Sequence, residues 1–173
     1  MALPLALETS SQNIKKLELH TTLDLYENKE ELLKEDQDLL NKSLKARSRA
    51  YAPYSKFTVG CAILLEDGTI VEGNNQENAA YPSGLCAERV AIFAVGANHP
   101  GKKILKIAIS ASPEDNSFEQ PVPPCGACRQ SIAEYEKNQS DPIELIFMGA
   151  SGPVLKAHSI SDLLPLIFDK QYL

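Results

Sequence analysis

The 173-residue chain has no tryptophan, 6% aromatic residues and no excess of basic side chains, with 17 Lys and Arg against 23 Asp and Glu and a formal charge of −6. Binding single-stranded nucleic acid calls for a basic groove with aromatic stacking platforms, and this composition supplies neither. The negative sign likewise opposes anionic lipid. No apolar run approaches the roughly 18 to 20 residues that span a bilayer, and the start Met1-Ala2-Leu3-Pro4 lacks the basic stretch of a secretory signal. These absences predict a cytoplasmic protein, neither membrane-bound nor secreted, whose easiest partner is a neutral small molecule. No internal repeat or low-complexity tract is present. At 43% apolar and 23% charged residues, the chain fits one ordinary globular domain.

Four cysteines are present, Cys61, Cys86, Cys125 and Cys128, an even number that raises the question of disulfides. A non-secreted chain long enough to build its own core neither needs nor usually keeps them, which moves the reading toward metal or catalytic use.

Hydrophobic patterning gives an α/β layered domain. Residues 15–25 alternate, with Leu17, Leu19, Thr21, Leu23 and Leu25 on one side, and read as a half-buried strand. Leu32, Leu33, Leu39, Leu40 and Leu44 then recur at helical spacing toward Ala50, and Ala52-Pro53 ends that helix because a residue before proline is pushed out of the helical region. Residues 59–66 and 69–73 are β-rich and flank Asp67-Gly68, the signature of a tight two-residue hairpin. Residues 86–97 and 126–137 read as helices, 104–110 and 143–148 as strands, and a last short helix starts near Ser161 as its N-cap. Lys42, Lys45, Arg47 and Arg49 read as a solvated helix face.

The chemistry concentrates at two predicted helix starts, Cys86-Ala87-Glu88 and Pro124-Cys125-Gly126-Ala127-Cys128. Cys125 and Cys128 are three residues apart, so on a first helical turn both thiols lie on one face and can share one ion. Helix N-termini favour negative charge and stabilise thiolates. Cys86 can add a third sulfur, and three protein ligands leave the fourth tetrahedral position for water, the mark of a catalytic rather than a structural zinc. Glu88 is then the natural proton carrier. Three thiolates on a dication call for compensating positive charge, and Arg89 is expected to hydrogen-bond a ligating sulfur.

Asn75-x-Glu77-Asn78-Ala79-Ala80-Tyr81, Cys86-Ala87-Glu88-Arg89, Pro124-Cys125-Gly126-Ala127-Cys128-Arg129-Gln130 and Ala50-Tyr51-Ala52-Pro53-Tyr54-Ser55-Lys56-Phe57 together resemble the signature of cytidine deaminase in its small, three-cysteine, homotetrameric form. The resemblance implies a three-layer αβα fold with a five-stranded mixed sheet over residues 36–173, preceded by an extension, 1–35, that carries the extra strand. It implies one Zn²⁺ per subunit on Cys86, Cys125 and Cys128, and hydrolytic deamination of cytidine and deoxycytidine, with Glu88 carrying the proton. Phe57 would line the pyrimidine pocket, Asn75 and Glu77 would bind the ribose hydroxyls, and a backbone group of Ala87 would read the base edge. Phe168 would reach a neighbouring subunit's pocket in a homotetramer with shared active sites, and Tyr81 would sit near subunit contacts. The stretch 112–121 is longer and more acidic than the family's usual turn, and Cys61 reads as a packing residue in a strand.

Two other functions fit the motifs less well. A structural zinc staple would need a closed fourth position, filled by Cys61 or by a histidine among His20, His99 and His158. Deamination of a polynucleotide base would need the basic, aromatic groove that this composition lacks.

Overall fold

The computed structural model describes residues 14–139 and 141–173. Strands β1 (Asp24–Tyr26), β2 (Phe57–Leu65), β3 (Ile70–Asn74), β4 (Ile104–Pro113), β5 (Glu144–Met148) and β6 (Val154–Ala157) alternate with helices α1 (Lys34–Arg47), α2 (Ala87–Asn98) and α3 (Gly126–Gln139). They form one sheet in the order β1-β6-β5-β4-β2-β3. β4 and β5 pair in parallel, with α3 as the crossover that a parallel pair requires, and every other neighbouring pair is antiparallel.

Alternation along the strands creates the layers. Cys61, Ile63 and Leu65 of β2, Ile107 and Ile109 of β4, and Leu145 and Phe147 of β5 share one buried cluster with Ala91, Ile92 and Val95 of α2 and Ile132 and Ala133 of α3. The intervening Ala62, Leu64, Ala108, Ile146 and Met148 pack instead with Leu39 and Leu40 of α1. Because successive strand side chains point to opposite faces, one sheet holds helices on both sides.

Five expectations are corrected. The sheet has six strands rather than five, and the sixth is β1 of the N-terminal segment. That strand is also shorter than the alternation over 15–25 predicts: among the described residues β1 spans only Asp24, Leu25 and Tyr26, which pair with Lys156, Leu155 and Val154. β6 is only four residues long, so its edge offers few backbone partners, and Leu17 and Leu19 stay exposed. The first 13 residues of the segment lie outside those described. The loop after β2 is a three-residue one, Glu66-Asp67-Gly68. Leu65 accepts from the Gly68 N–H at 3.0 Å and donates to the Thr69 carbonyl at 2.9 Å, with Gly68 at φ +83°. The C-terminal helix is a single 3-10 turn, Ile160–Asp162, capped by Ser159 in a capping box with Asp162. Pro165 follows closely and disfavours helix at Leu164. The basic cluster is not a uniformly solvated face either, since Arg47 is buried and donates to the Asn116 amide oxygen at 2.6 Å.

Two contacts fix the helices. A Cβ on Gly73 of β3 would stand 2.6 Å from the Ala87 carbonyl oxygen and 2.7 Å from the Ala91 nitrogen, so the first turn of α2 rests directly on the sheet. On the other face, Asp36 in the first turn of α1 is 1% exposed and accepts from Lys106 of β4 at 2.6 Å and Lys156 of β6 at 2.9 Å. Glu144 of the intervening β5 approaches both lysines, at 3.4 and 3.1 Å. Burial alone would raise the Asp36 pKa. The hydrogen bonds and charges of the two lysines outweigh it and hold the carboxyl below its usual 3.8.

Gly73→Ala is expected to lower stability by about 2 kcal/mol through overpacking, read by denaturant unfolding, since helix backbone and not a mobile side chain blocks the methyl. Asp36→Asn is expected to destabilise by about 3 kcal/mol at pH 7, because it removes the buried carboxylate that both lysines share and leaves them the more exposed Glu144 and Glu35. A carboxyl with a depressed folded pKa contributes stability above its unfolded value of about 3.9, and that contribution is lost as pH falls through the folded value. Urea midpoints of the wild type and Asp36→Asn should therefore differ most near neutrality and converge as pH falls through the folded value.

Candidate metal centre and active site

Two helices begin at the same place. Cys86 is the N-cap of α2, and the Cys125 carbonyl accepts the first helical bond of α3 from Arg129 at 2.9 Å. Cys128 is one turn into α3 and fully buried. The sulfurs of Cys86 and Cys125 are 3.9 Å apart and those of Cys125 and Cys128 are 3.5 Å apart, with all three within 4.8 Å of one another.

Four sulfurs at about 2.3 Å from a tetrahedral zinc stand about 3.8 Å from each other, so these spacings match the donor set of one zinc ion. Among the described residues no fourth Cys, His, Asp or Glu joins the group. Cys61 lies in β2, fully buried in the core, and burial pushes its thiol pKa well up. His20 is exposed, His99 caps the end of α2, and His158 pairs with Asp24 at 3.0 Å. A closed structural site made from those residues is thereby excluded.

The charge balance of the cluster is also visible. The Arg89 guanidinium approaches the Cys86 sulfur at 3.9 Å. The hydrogen bond from the Cys128 thiol, followed by those from Arg89 and Cys125, holds the Cys86 thiol down to about 5 despite its partial burial. Cys128 is pushed in the opposite direction by that same bond. Arg129 serves another end: its Nε donates to the Pro124 carbonyl and its Nη1 to the Leu163 carbonyl, both at 2.8 Å, tying the start of α3 to the C-terminal segment.

Cys86, Cys125 and Glu88 line a cleft of about 660 Å³ together with Phe57, Asn75, Glu77 and Tyr81, a volume within the range of small-molecule sites. Glu88 is 4% exposed and its Oε2 has no hydrogen-bond partner, an uncommon state for a buried carboxylate. Burial raises its pKa, and the neighbouring Cys86 adds to that. The carboxylate is thus a proton acceptor turned into the cleft beside the sulfurs.

The remaining predicted residues fall in three groups. Phe57 and Tyr81 present rings to the cleft, Tyr81 at 6.3 Å from the Tyr54 ring. Asn75 and Glu77 are there too, but already bonded. Asn75 accepts from the Val59 N–H at 2.8 Å and donates to the Phe57 carbonyl at 2.9 Å, which leaves one amide hydrogen free. Glu77 accepts from the Tyr54 and Ser55 backbone N–H groups at 2.9 and 3.2 Å and from the Ser55 hydroxyl. The hydroxyl first, then the two amides, hold the Glu77 pKa below the usual carboxylate range. Ala87 has its side chain in the core and only its backbone at the helix start. Phe168 does not line the cleft of its own chain; it is 60% exposed and stacks on Tyr172 at 5.6 Å. The contribution of Ser55 is absent from the sequence reading, because its partner is 22 residues away and no local pattern links them.

The description "Cytidine and deoxycytidylate deaminase zinc-binding region" matches residues 33–140. The chain is 44% identical over 136 residues to a cytidine deaminase of Sporosarcina psychrophila, covering 78% of this chain and 92% of that protein. It is 38% identical over 133 residues to one of Halalkalibacterium halodurans, covering 76% and 92%. The crystal structure of cytidine deaminase from Burkholderia pseudomallei superposes with a TM-score of 0.65 at 37% identity, over 76% of this chain and 97% of that one. A match across more than half of the chain, and relatives this similar over most of their own length, settle the assignment: the chain belongs to the cytidine and deoxycytidylate deaminase family.

Proposed function

We propose that the protein is a zinc-dependent hydrolase that converts cytidine and deoxycytidine, with water, to uridine and deoxyuridine with release of ammonia. The observation that carries this reading is the juxtaposition of three thiols, arranged for one zinc ion, with a buried glutamate whose free oxygen faces the same cleft. Zinc is the cofactor, held by Cys86, Cys125 and Cys128, and when bound it makes water a nucleophile near neutral pH.

The protein side of the chemistry is a proton itinerary. Glu88 Oε2 accepts a proton from the attacking water and delivers it to N3 of the pyrimidine ring, which makes C4 electrophilic. Oxygen bonds to C4, Glu88 then takes the second proton from the new C4 hydroxyl and hands it to the amine, and the C4–N bond breaks as the C4 carbonyl forms. A carboxylate suits both directions here because burial brings its pKa closer to the working pH. Arg89 offsets the negative charge of the thiolates. The free N–H groups at the start of α2, Ala87 among them, face the base edge. Phe57 packs on the ring, while Asn75 and Glu77 take the sugar hydroxyls.

Phe168 belongs to a neighbour's cleft in this reading, and Tyr81 to the contact between chains. Leu166, Phe168, Tyr172 and Leu173 are each more than half exposed at the C-terminus, a patch that a homotetramer with shared active sites would cover. The catalytic domain is residues 36–173, with 1–35 an extension whose strand β1 closes the β6 edge. Its four free cysteines suit the reducing cytoplasm.

Purified protein is expected to hold one zinc per chain by metal analysis and to bleach the cytidine absorbance with stoichiometric ammonia release; zinc-loaded protein that leaves cytidine intact overturns the proposal. Glu88→Gln should keep zinc and fold while kcat falls by about 10³-fold. Phe168→Ala should lower kcat/KM at least tenfold in protein that light scattering shows to be tetrameric; a fully active monomer would sink the shared-site reading.

A further inference from the structure

The Glu77 carboxylate offers about four acceptor positions. Three are filled by one short segment, two on Oε2 from the Tyr54 and Ser55 N–H groups and one on Oε1 from the Ser55 hydroxyl. One position remains, on Oε1, and Glu77 lines the cleft. Two donors converging on a single oxygen do not by themselves fix the plane of a carboxylate, because the terminal torsion of glutamate is soft. The hydroxyl is the third point that stops rotation about Oε2.

The hydroxyl is itself oriented. Its oxygen accepts from the Phe57 N–H at 3.0 Å, inside the turn that Lys56 makes at φ +57°. With a lone pair spent on Phe57, its proton is directed to Glu77. Ser55 therefore brackets Phe57, on the base side of the cleft, to Glu77, on the sugar side. Tyr51 stitches the same two segments together at a second level, donating to the Asn75 carbonyl at 3.0 Å and accepting from the Glu77 N–H at 2.9 Å.

Building on the nucleoside reading above, we infer that Ser55 is a positioning residue for sugar recognition: it aims the one free acceptor site of Glu77 at a ring hydroxyl and so sets discrimination between nucleosides that carry secondary sugar hydroxyls and those that lack them. It touches no reacting atom. Its loss should act on binding of the sugar and not on proton transfer at the base.

The test compares steady-state kinetics of the zinc-loaded wild type, Ser55→Ala and Ser55→Thr on deoxycytidine and on 2′,3′-dideoxycytidine, which lacks the hydroxyl. In Ser55→Ala the KM for deoxycytidine should rise about tenfold, the scale of one charge-assisted hydrogen bond, with the larger effect on KM than on kcat. The ratio of KM for the dideoxy analogue to KM for deoxycytidine should fall about tenfold, and Ser55→Thr, which restores a hydroxyl, should recover it. Ser55→Gly gives the same comparison should the alanine variant be poorly soluble. A loosened cleft without a role in sugar recognition would raise both KM values together and leave their ratio fixed; that outcome, or no change at all, overturns the inference. A wild type that converts neither nucleoside overturns the functional reading on which the inference rests, so the two failures are distinguishable.

Discussion

Two helix N-termini brought to one point are the constraint on which the rest of the structure depends. Cys86 caps α2, Cys125 begins α3, and Cys128 is one turn further on, so three sulfurs face a region where backbone N–H groups have no helical partners. Sulfurs 3.5 and 3.9 Å apart repel one another as thiolates. A shared dication, the Arg89 guanidinium and the helix dipoles offset that repulsion. The convergence in turn needs α2 seated against β3 at Gly73, where any side chain would meet the helix backbone, and α3 placed as the crossover between parallel β4 and β5.

The opposite face of the sheet solves a different problem. Lys106 of β4 and Lys156 of β6 flank β5 and both reach Asp36, which anchors the first turn of α1. The far end of α1 leads into the 48–57 segment, whose Tyr54, Ser55 and Phe57 line the cleft. Gly60 lets α1 lie close on β2, since a Cβ there would stand 2.0 Å from the Ser43 carbonyl oxygen. A buried charge cluster on one side of the sheet thus helps to place residues that line the cleft.

What could be read from the sequence follows the range of the interaction. Cys125 and Cys128 share a helical turn, Glu88 is two residues from Cys86, and Asp67-Gly68 sits between β-rich runs, so residue type and spacing suffice to find them. β6 escapes because four residues carry too little pattern. The strand over 15–25 is overextended because its alternation says nothing of how much edge is available to pair with, and β6 offers pairing only to Asp24, Leu25 and Tyr26. Arg47 reads as surface in a basic run, yet it is buried beside Asn116, 69 residues later. The bonds of Glu77 to Tyr54 and Ser55 leave no trace for the same reason: two of the three donors are backbone N–H groups, which every non-proline residue carries.

The site is consequently built in two halves with separate supports. Helix starts hold the metal ligands and Glu88, and their geometry rests on close backbone packing that tolerates no added atom at Gly73. Loops hold Phe57, Asn75 and Glu77, and their geometry rests on hydrogen bonds among segments 51–57 and 75–77. Close packing is nearly all-or-none, whereas hydrogen bonds between loops are replaceable one at a time. A change in the loop half therefore alters that wall of the cleft while the half built on helix starts keeps its form. The 112–121 stretch touches that same loop half, through the bond from the Glu114 N–H to the Lys56 carbonyl at 2.9 Å.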